Sequence, residues 1–326
     1  MTIDPEIAGW LARTESEAEP TTIAEAREVA RRQNALALQR MGPALIPASE
    51  VDQVIDGPAG PLPVRVLRPT ADKPAARPRP TVVYFHGGGW TIGDIDTHLG
   101  HARRICTQAG AVVVSIGYRL APEHRFPAAF DDAVAATEWA ARRLADLGGD
   151  PRTLVVAGDS VGAQLAASVA IARRDAGLPL SAQLLLYPVI DVTGRYCDPE
   201  LNAHYASRAS NGSGFGLTLE GMANFAKIYV PAEASGDWRV SPIKAADLAG
   251  VAPAVLHTAT LDVLRAEGIF YGNALREAGV RVTVREWPTL NHSYFGLGGV
   301  SAVANAAAGQ AATDLLDLLG LGSSGD

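Results

Sequence analysis

Leu154-Val155-Val156-Ala157-Gly158-Asp159-Ser160-Val161-Gly162 is an apolar run that breaks at a glycine and restarts, from Val161 through Arg174, as a run of small residues. Leu154–Ala157 has the length and residue types of a buried strand, and the segment from Val161 those of a helix. A serine held between glycines at a strand-to-helix turn is the G-x-S-x-G nucleophile-elbow arrangement. Ser160 has to adopt a strained backbone conformation for its hydroxyl to stand above the sheet. Gly158 and Gly162 then let neighbouring backbone approach where a Cβ would clash. The helix that starts there offers free N–H groups, at its positive dipole end, to any developing negative charge. Glycine and serine are common, so the rest of the chain has to decide.

At 326 residues the chain is long for one average domain, but open α/β sheets reach this size as single units. A hydrophobic content of 48% beside 19% charged residues allows a sizeable core. The formal net charge of −7 disfavours a nucleic-acid partner, which would call for a basic face. Cys106 and Cys197 are too few for a disulfide framework and form no metal-spaced pair, so both are expected to be reduced and structural, with no metal site. The N-terminus carries acids early and no apolar core of a secretory signal. No apolar run reaches membrane-spanning length, the last alanine- and leucine-rich segment being interrupted by Asn305, Gly309, Gln310, Asp314 and Asp317. The expected location is the cytoplasm.

Outward from the elbow, the rhythm is strand, helix, strand. Strands are predicted at Thr81–Phe85, Ala111–Ile116, Leu154–Ala157, Ala182–Tyr187, Ala254–Ala259 and Val280–Glu286. Helices are predicted at Thr97–Gln108, Ala128–Leu147, Val161–Arg174, Leu264–Ala278 and Val300–Leu319. Such alternation implies a mostly parallel sheet covered on both faces. Val51–Ile55 and Val64–Leu67, around Gly57-Pro58-Ala59-Gly60-Pro61, suit an antiparallel hairpin at the sheet edge, and the proline-rich residues 69–80 an exposed loop. A helix over Thr22–Arg40, capped by Thr21 or Thr22 and stopped by Met41-Gly42-Pro43, precedes every strand. Residues 191–240 interrupt the alternation, with one helix at Leu219–Tyr229, and fall where the carboxyl edge of the sheet opens. The chain therefore divides into an N-terminal helical segment (1–48), a first core part (49–190), an insertion (191–240) and a second core part (241–326).

Two further stretches carry chemistry. His86-Gly87-Gly88-Gly89-Trp90 directly follows a strand, and its glycines leave backbone N–H groups unshielded. Gly87 and Gly88, with the N–H of Val161, would form an oxyanion hole; the bland alternative is a flexible turn. A serine hydroxyl needs a base, usually a histidine held by a carboxylate. Asp262 follows the Ala254–Ala259 strand and His292 follows Val280–Glu286, both at the sheet edge that bears Ser160, in the order serine, acid, histidine. Of seven histidines, His292 alone has this order and placement: His86 belongs to the glycine loop, His98 and His101 to a helix near it, His124 to a proline-rich loop and His257 to a strand. Asp159 is expected to be turned away by the elbow, and Glu267 to be a structural hydrogen-bond partner. On the substrate side, Trp90, Phe215, Leu217 and Phe225 are candidate contacts, with Trp10, Leu11 and Met41 near them. The glycine- and serine-rich Ser210–Gly216 is either a loop over the entrance or a plain linker.

Together with Tyr118-Arg119-Leu120-Ala121-Pro122-Glu123-His124, Tyr187-Pro188, Ser241-Pro242, and Asp262 with Leu264-Arg265 and Glu267-Gly268, these motifs resemble the bacterial hormone-sensitive-lipase family of carboxylesterases, over about Val64 to Leu297. The resemblance implies the α/β-hydrolase fold: a mostly parallel, eight-stranded sheet with helices on both faces and a helical cap made from residues 1–48 and 191–240. It implies a serine esterase without metal or organic cofactor, acting on a small-molecule ester, and a homodimer through an edge strand such as Val280–Glu286. The chain departs from the family at Val161 and Ala163, where alanine and glycine are usual, at Val263 and Ala266, and at Ser293-Tyr294-Phe295, where a glycine and an aromatic usually follow the histidine. The compact glycine-lined mouth favours short acyl chains or small aromatic esters. An amidase or natural-product deacylase on the same triad, a small-molecule receptor of the same fold and a dehydratase remain as alternatives. An intact Ser160 and His292 count against the last two.

Overall fold

A computed structural model describes residues 2–14, 20–41, 45–70 and 79–322. Its sheet has eight strands: β1 Ser49–Gly57, β2 Gly60–Arg68, β3 Thr81–Phe85, β4 Val112–Ile116, β5 Leu154–Asp159, β6 Ala182–Leu186, β7 Ala254–Leu261 and β8 Val282–Asn291, in spatial order β1-β2-β4-β3-β5-β6-β7-β8. The β1–β2 hairpin is antiparallel and joins β4 antiparallel; every other pairing is parallel. Strands β3 to β7 are buried at every position, as strands covered on both faces must be, whereas β1 at the edge is half exposed.

The helices are α1 Pro5–Thr14, α2 Ile23–Gln39, α3 Leu99–Ala109, α4 Ala128–Ala141, α5 Leu144–Leu147, α6 Val161–Asp175, α7 Pro199–His204, α8 Ala206–Ser210, α9 Leu219–Tyr229, α10 Arg265–Glu277 and α11 Ala302–Leu318. Residues of α4, α6 and α10 share one apolar core on one face of the sheet. Those of α3 and α11 fill a second core on the other face. The sheet, the helices on both faces and the hairpin are as expected from the sequence.

Several boundaries differ, each for a local reason. The helix expected from Thr97 begins at Leu99, because Thr97 and Asp94 are paired in a reciprocal turn: Asp94 N–H donates to Thr97 Oγ1 (2.7 Å) and Thr97 N–H to Asp94 Oδ1 (2.8 Å). The single helix expected over Ala128–Leu147 is two, broken where Arg143 leaves helical geometry (φ −129°). Helix α1 was not expected from hydrophobic periodicity, yet Asp4 caps it by accepting from the N–H groups of Glu6 and Ile7, with Pro5 as its first residue. The same Asp-Pro device starts α7, where Asp198 accepts from Glu200 and Leu201 ahead of Pro199. Thr22 caps α2 through a full capping box with Glu25. The expected stop at Gly42-Pro43 and most of the proline-rich loop, residues 71–78, lie outside the described residues.

Strand β8 runs five residues further than predicted. A bulge between Ala259 and Leu261 absorbs the extra length, Thr289 takes a left-handed conformation (φ 65°), and Asn291 ends up paired with Leu261. That register sets the next residues of the two strands, Asp262 and His292, side by side.

The segment between β6 and β7 is tied down by one buried ion pair. Arg208 of α8 and Glu267 of α10 are fully buried 2.5 Å apart, and the guanidinium lies over the rings of Tyr196 (4.2 Å) and Tyr205 (4.5 Å). Glu267 also accepts from Ile190 N–H and Tyr196 hydroxyl, the structural role expected of it. Burial drives the Glu267 pKa upward, opposed by the adjacent Arg208. Arg208→Leu leaves that carboxylate buried without its partner and is expected to cost about 3–5 kcal/mol, measured by urea unfolding; an unchanged midpoint would refute the tether.

Candidate active site

Ser160 sits at φ 54°, ψ −120°, a conformation available to a non-glycine residue only under constraint from its surroundings. The constraint is a close approach of backbones. A Cβ on Gly162 would run into the carbonyl of Phe85, and one on Gly158 into the backbone of Gly162. The first turn of α6 is thus pressed against the end of β3, and Ser160 N–H donates to Leu186 O (2.9 Å) to pin the other side.

The order serine, acid, histidine along the chain becomes one hydrogen-bonded line in space. Ser160 Oγ lies 3.0 Å from His292 Nε2, and His292 Nδ1 lies 2.8 Å from Asp262 Oδ2. With Nδ1–H donated to the carboxylate, Nε2 presents its lone pair to the serine hydroxyl. Asp262 is itself held: Oδ1 accepts from Leu264 N–H (2.9 Å), and Asn211 donates to the carbonyls of Thr260 and Asp262. The rings of Tyr187 and His292 meet edge to face, their centroids 4.9 Å apart. Ser293, where the resemblance expects glycine, nonetheless holds a left-handed conformation (φ 66°).

The glycine loop requires a correction. Gly87 N–H, expected in the oxyanion hole, already donates to Asp159 Oδ1 (2.9 Å), so it cannot serve a substrate oxygen. Gly88 and Gly89 carry the N–H groups that find no acceptor among the described residues, and Val161 N–H, at the first position of α6, has no intrahelical partner. Both glycines have positive φ (113° and 60°), and a Cβ on Gly89 would enter the ring of Phe225. Asp159 is therefore more than a residue turned aside. Buried, it also accepts from the Tyr84 hydroxyl (2.5 Å), and the next clamp on the loop is Tyr118, whose hydroxyl donates to His86 O (2.7 Å). Burial opposes its charge, but the histidines His98 and His101 and the Tyr84 hydroxyl hold its pKa well below the usual carboxylate range.

A family model described as the alpha/beta hydrolase fold matches residues 82–296. The chain belongs to that family. Esterase LipI of Mycobacterium tuberculosis is 41% identical over 266 residues, covering 79% of this chain and 78% of its own. The ethyl acetate hydrolase of Pseudomonas putida is 36% identical over 244 residues, 73% of each chain. Among solved structures, the hyperthermophilic esterase from the archaeon Pyrobaculum calidifontis superposes with a TM-score of 0.86 at 33% identity, over 98% of this chain and 99% of that one. The resemblance to hormone-sensitive-lipase-type carboxylesterases drawn from the motifs is thereby borne out.

In this α/β hydrolase Ser160 opens onto a cavity of about 450 Å³. Trp10 and Leu11 of α1, Asn34 of α2, Leu217 and Phe225 wall it opposite the serine. Of the candidate contacts, Leu217 and Phe225 are in place and two are not. Trp90 is fully buried, stacked on Tyr229 (4.9 Å) with its indole N–H donated to Gln164 (3.0 Å), because its left-handed backbone (φ 57°) turns the ring into the core. Phe215 contributes its carbonyl, which accepts from Asn291 Nδ2 (2.9 Å), while its side chain is absent from the cavity wall. Met41 packs over Gly100. Two residues that motif spacing did not single out, Asp159 and Asn291, thus set the loops on either side of Ser160. Removing the Asp159 carboxylate frees Gly87 and unseats the loop: Asp159→Ala is expected to lower kcat about tenfold to a hundredfold on p-nitrophenyl butyrate with little change in KM. Steady-state kinetics would contradict this if KM carried the loss.

Proposed function

We propose that this carboxylic ester hydrolase cleaves short-chain acyl or small aromatic esters through an acyl-enzyme on Ser160. The observation that carries the reading is the Ser160–His292–Asp262 line, with hydrogen bonds of 3.0 and 2.8 Å. Ser160 Oγ attacks the ester carbonyl as its proton passes to His292 Nε2, and Asp262 steadies the imidazolium. The carbonyl oxygen, now an anion, accepts from the N–H groups of Gly88, Gly89 and Val161. Collapse of the tetrahedral intermediate breaks the bond to the alcohol, which leaves with the proton from His292. Water, deprotonated by the same imidazole, then attacks the acyl-serine and releases the acid.

Substrate size follows from the cavity, whose volume of about 450 Å³ lies toward the low end of the ~300–1,000 Å³ usual for small-ligand sites. The name of the ethyl acetate hydrolase relative supports a short acyl group. In this reading residues 1–48 and 191–240 form a cap over the two core parts, 49–190 and 241–326. In the same reading the enzyme works in the cytoplasm as a homodimer paired along β8, which has no second neighbouring strand among the described residues. Among the described residues no helix is long and apolar enough to cross a membrane.

Ser160→Ala is expected to reduce hydrolysis of p-nitrophenyl butyrate by about 10⁴-fold or more, and Asp262→Asn by about 10⁴. Full activity in the serine variant would sink the assignment. Across p-nitrophenyl esters from acetate to decanoate, kcat/KM should peak at butyrate or below; a maximum at decanoate would show that the cavity opens into a longer channel.

A further inference from the structure

Beneath the nucleophile lies a cluster that the proposed hydrolysis does not require as a unit. His98 and His101 are one turn apart at the start of α3, and both face Asp159, the residue before Ser160. All three are buried, and each offers a donor atom within 4.8 Å of the other two. His98 Nε2 stands 3.6 Å from Asp159 Oδ2, beyond a hydrogen bond but close to the edge of about 3.4 Å between ligands around a tetrahedral ion with 2.1 Å bonds. The His98 ring is oriented from behind by the contact of Nδ1 with Thr97 Oγ1 (2.9 Å), the kind of support that metal-binding imidazoles receive.

The second observation is a donor with nothing to bind. His101 Nε2 is buried and has no hydrogen-bond partner among the described residues. Gly296 presses against this ring so closely that a Cβ there would sit 2.8 Å from His101 Cε1. An imidazole nitrogen and a carboxylate oxygen are the ligand atoms such a cluster can supply. All three residues border the same cavity as Ser160, which supplies an entry path.

We propose that His98, His101 and Asp159 form an inhibitory site for a borderline divalent transition-metal ion, with Zn²⁺ the probe of choice. Two imidazole nitrogens and one carboxylate oxygen suit such an ion, with open positions for water, and do not suit Mg²⁺ or Ca²⁺, which take oxygen ligands. An ion bound here draws on the carboxylate that holds Gly87 N–H and so loosens the glycine loop. It also sets two positive charges near His292, which has to become cationic in the transition state, and therefore suppresses turnover.

The test uses the full chain with Cys197→Ser as background, since Cys197 is an exposed free thiol and thiolates are zinc ligands. Calorimetric titration of the chelator-treated protein with Zn²⁺ should give one ion per chain, and Co²⁺ should give the visible bands of a low-coordinate nitrogen–oxygen site. His101→Gln and His98→Gln should each weaken binding by more than the ~10–100-fold that loss of an outer-shell partner costs. Each should likewise desensitise hydrolysis to Zn²⁺, scored against the variant's own metal-free rate. Ser160→Ala should bind Zn²⁺ as the parent does, so binding is read even where catalysis fails. Absence of stoichiometric binding in the parent overturns the proposal. So does unchanged zinc affinity or inhibition in folded His101→Gln, which would put the ion on His292. If His101→Gln does not fold, the same comparison with His98→Gln decides.

Discussion

The closeness with which α6 meets the end of β3 is the constraint on which everything else rests. No side chain intervenes at Gly162, so the first turn of the helix abuts the Phe85 carbonyl, and Ser160 is forced to positive φ between them. A backbone held in that region costs about 1–3 kcal/mol. The cost is offset by α6 itself, almost wholly buried against β3, β5 and β6 and beside α4. The same contact brings Val161 N–H and the loop after β3 to one point above the serine oxygen. The nucleophile and oxyanion donors of the proposed mechanism are thus consequences of one packing event.

Polar groups around that point are anchored from the second sequence neighbourhood outward. Asp159 ties the glycine loop to the elbow, Tyr118 holds His86 O, and Trp90 locks the far end of the loop onto Gln164 of α6. His86, stacked on Tyr118 and lowered by burial to about 4, stays neutral there. A loop of consecutive glycines has little intrinsic order. Its order here is supplied by three different elements, and that is why the esterase can present fixed N–H dipoles without paying to organise them during the reaction.

The wall opposite the serine is held differently, by tethers to the second core part. Arg208 and Glu267 fasten α8 to α10, Asn211 fastens the loop after α8 to the strand end that carries Asp262, and Asn291 fastens Phe215. At the other terminus, Asp4 N–H donates to Thr289 O, joining α1 to the bulged end of β8 just ahead of His292. The segments that wall the cavity therefore lean on the same strand ends that bear Asp262 and His292.

The strand–helix alternation, the hairpin, the elbow and the chain order Ser160, Asp262, His292 were all legible in sequence, because period, turn residues and strand-end placement are local properties. The Asp-Pro starts of α1 and α7 were not among the elements read from the sequence, because helices so short carry too little periodicity to stand out. What the sequence could not say is which way groups turn once the chain is folded. The proposed oxyanion donors differ from those expected because the Asp159 carboxylate, a neighbour only in space, claims Gly87 N–H. Trp90 left the pocket because its backbone conformation sends the ring inward. The pairing of Leu261 with Asn291, which places Asp262 beside His292, depends on a bulge whose register two strands settle jointly. Local composition determined the elements and the reacting groups of this protein; only the tertiary contacts decided which backbone dipoles stayed free to act.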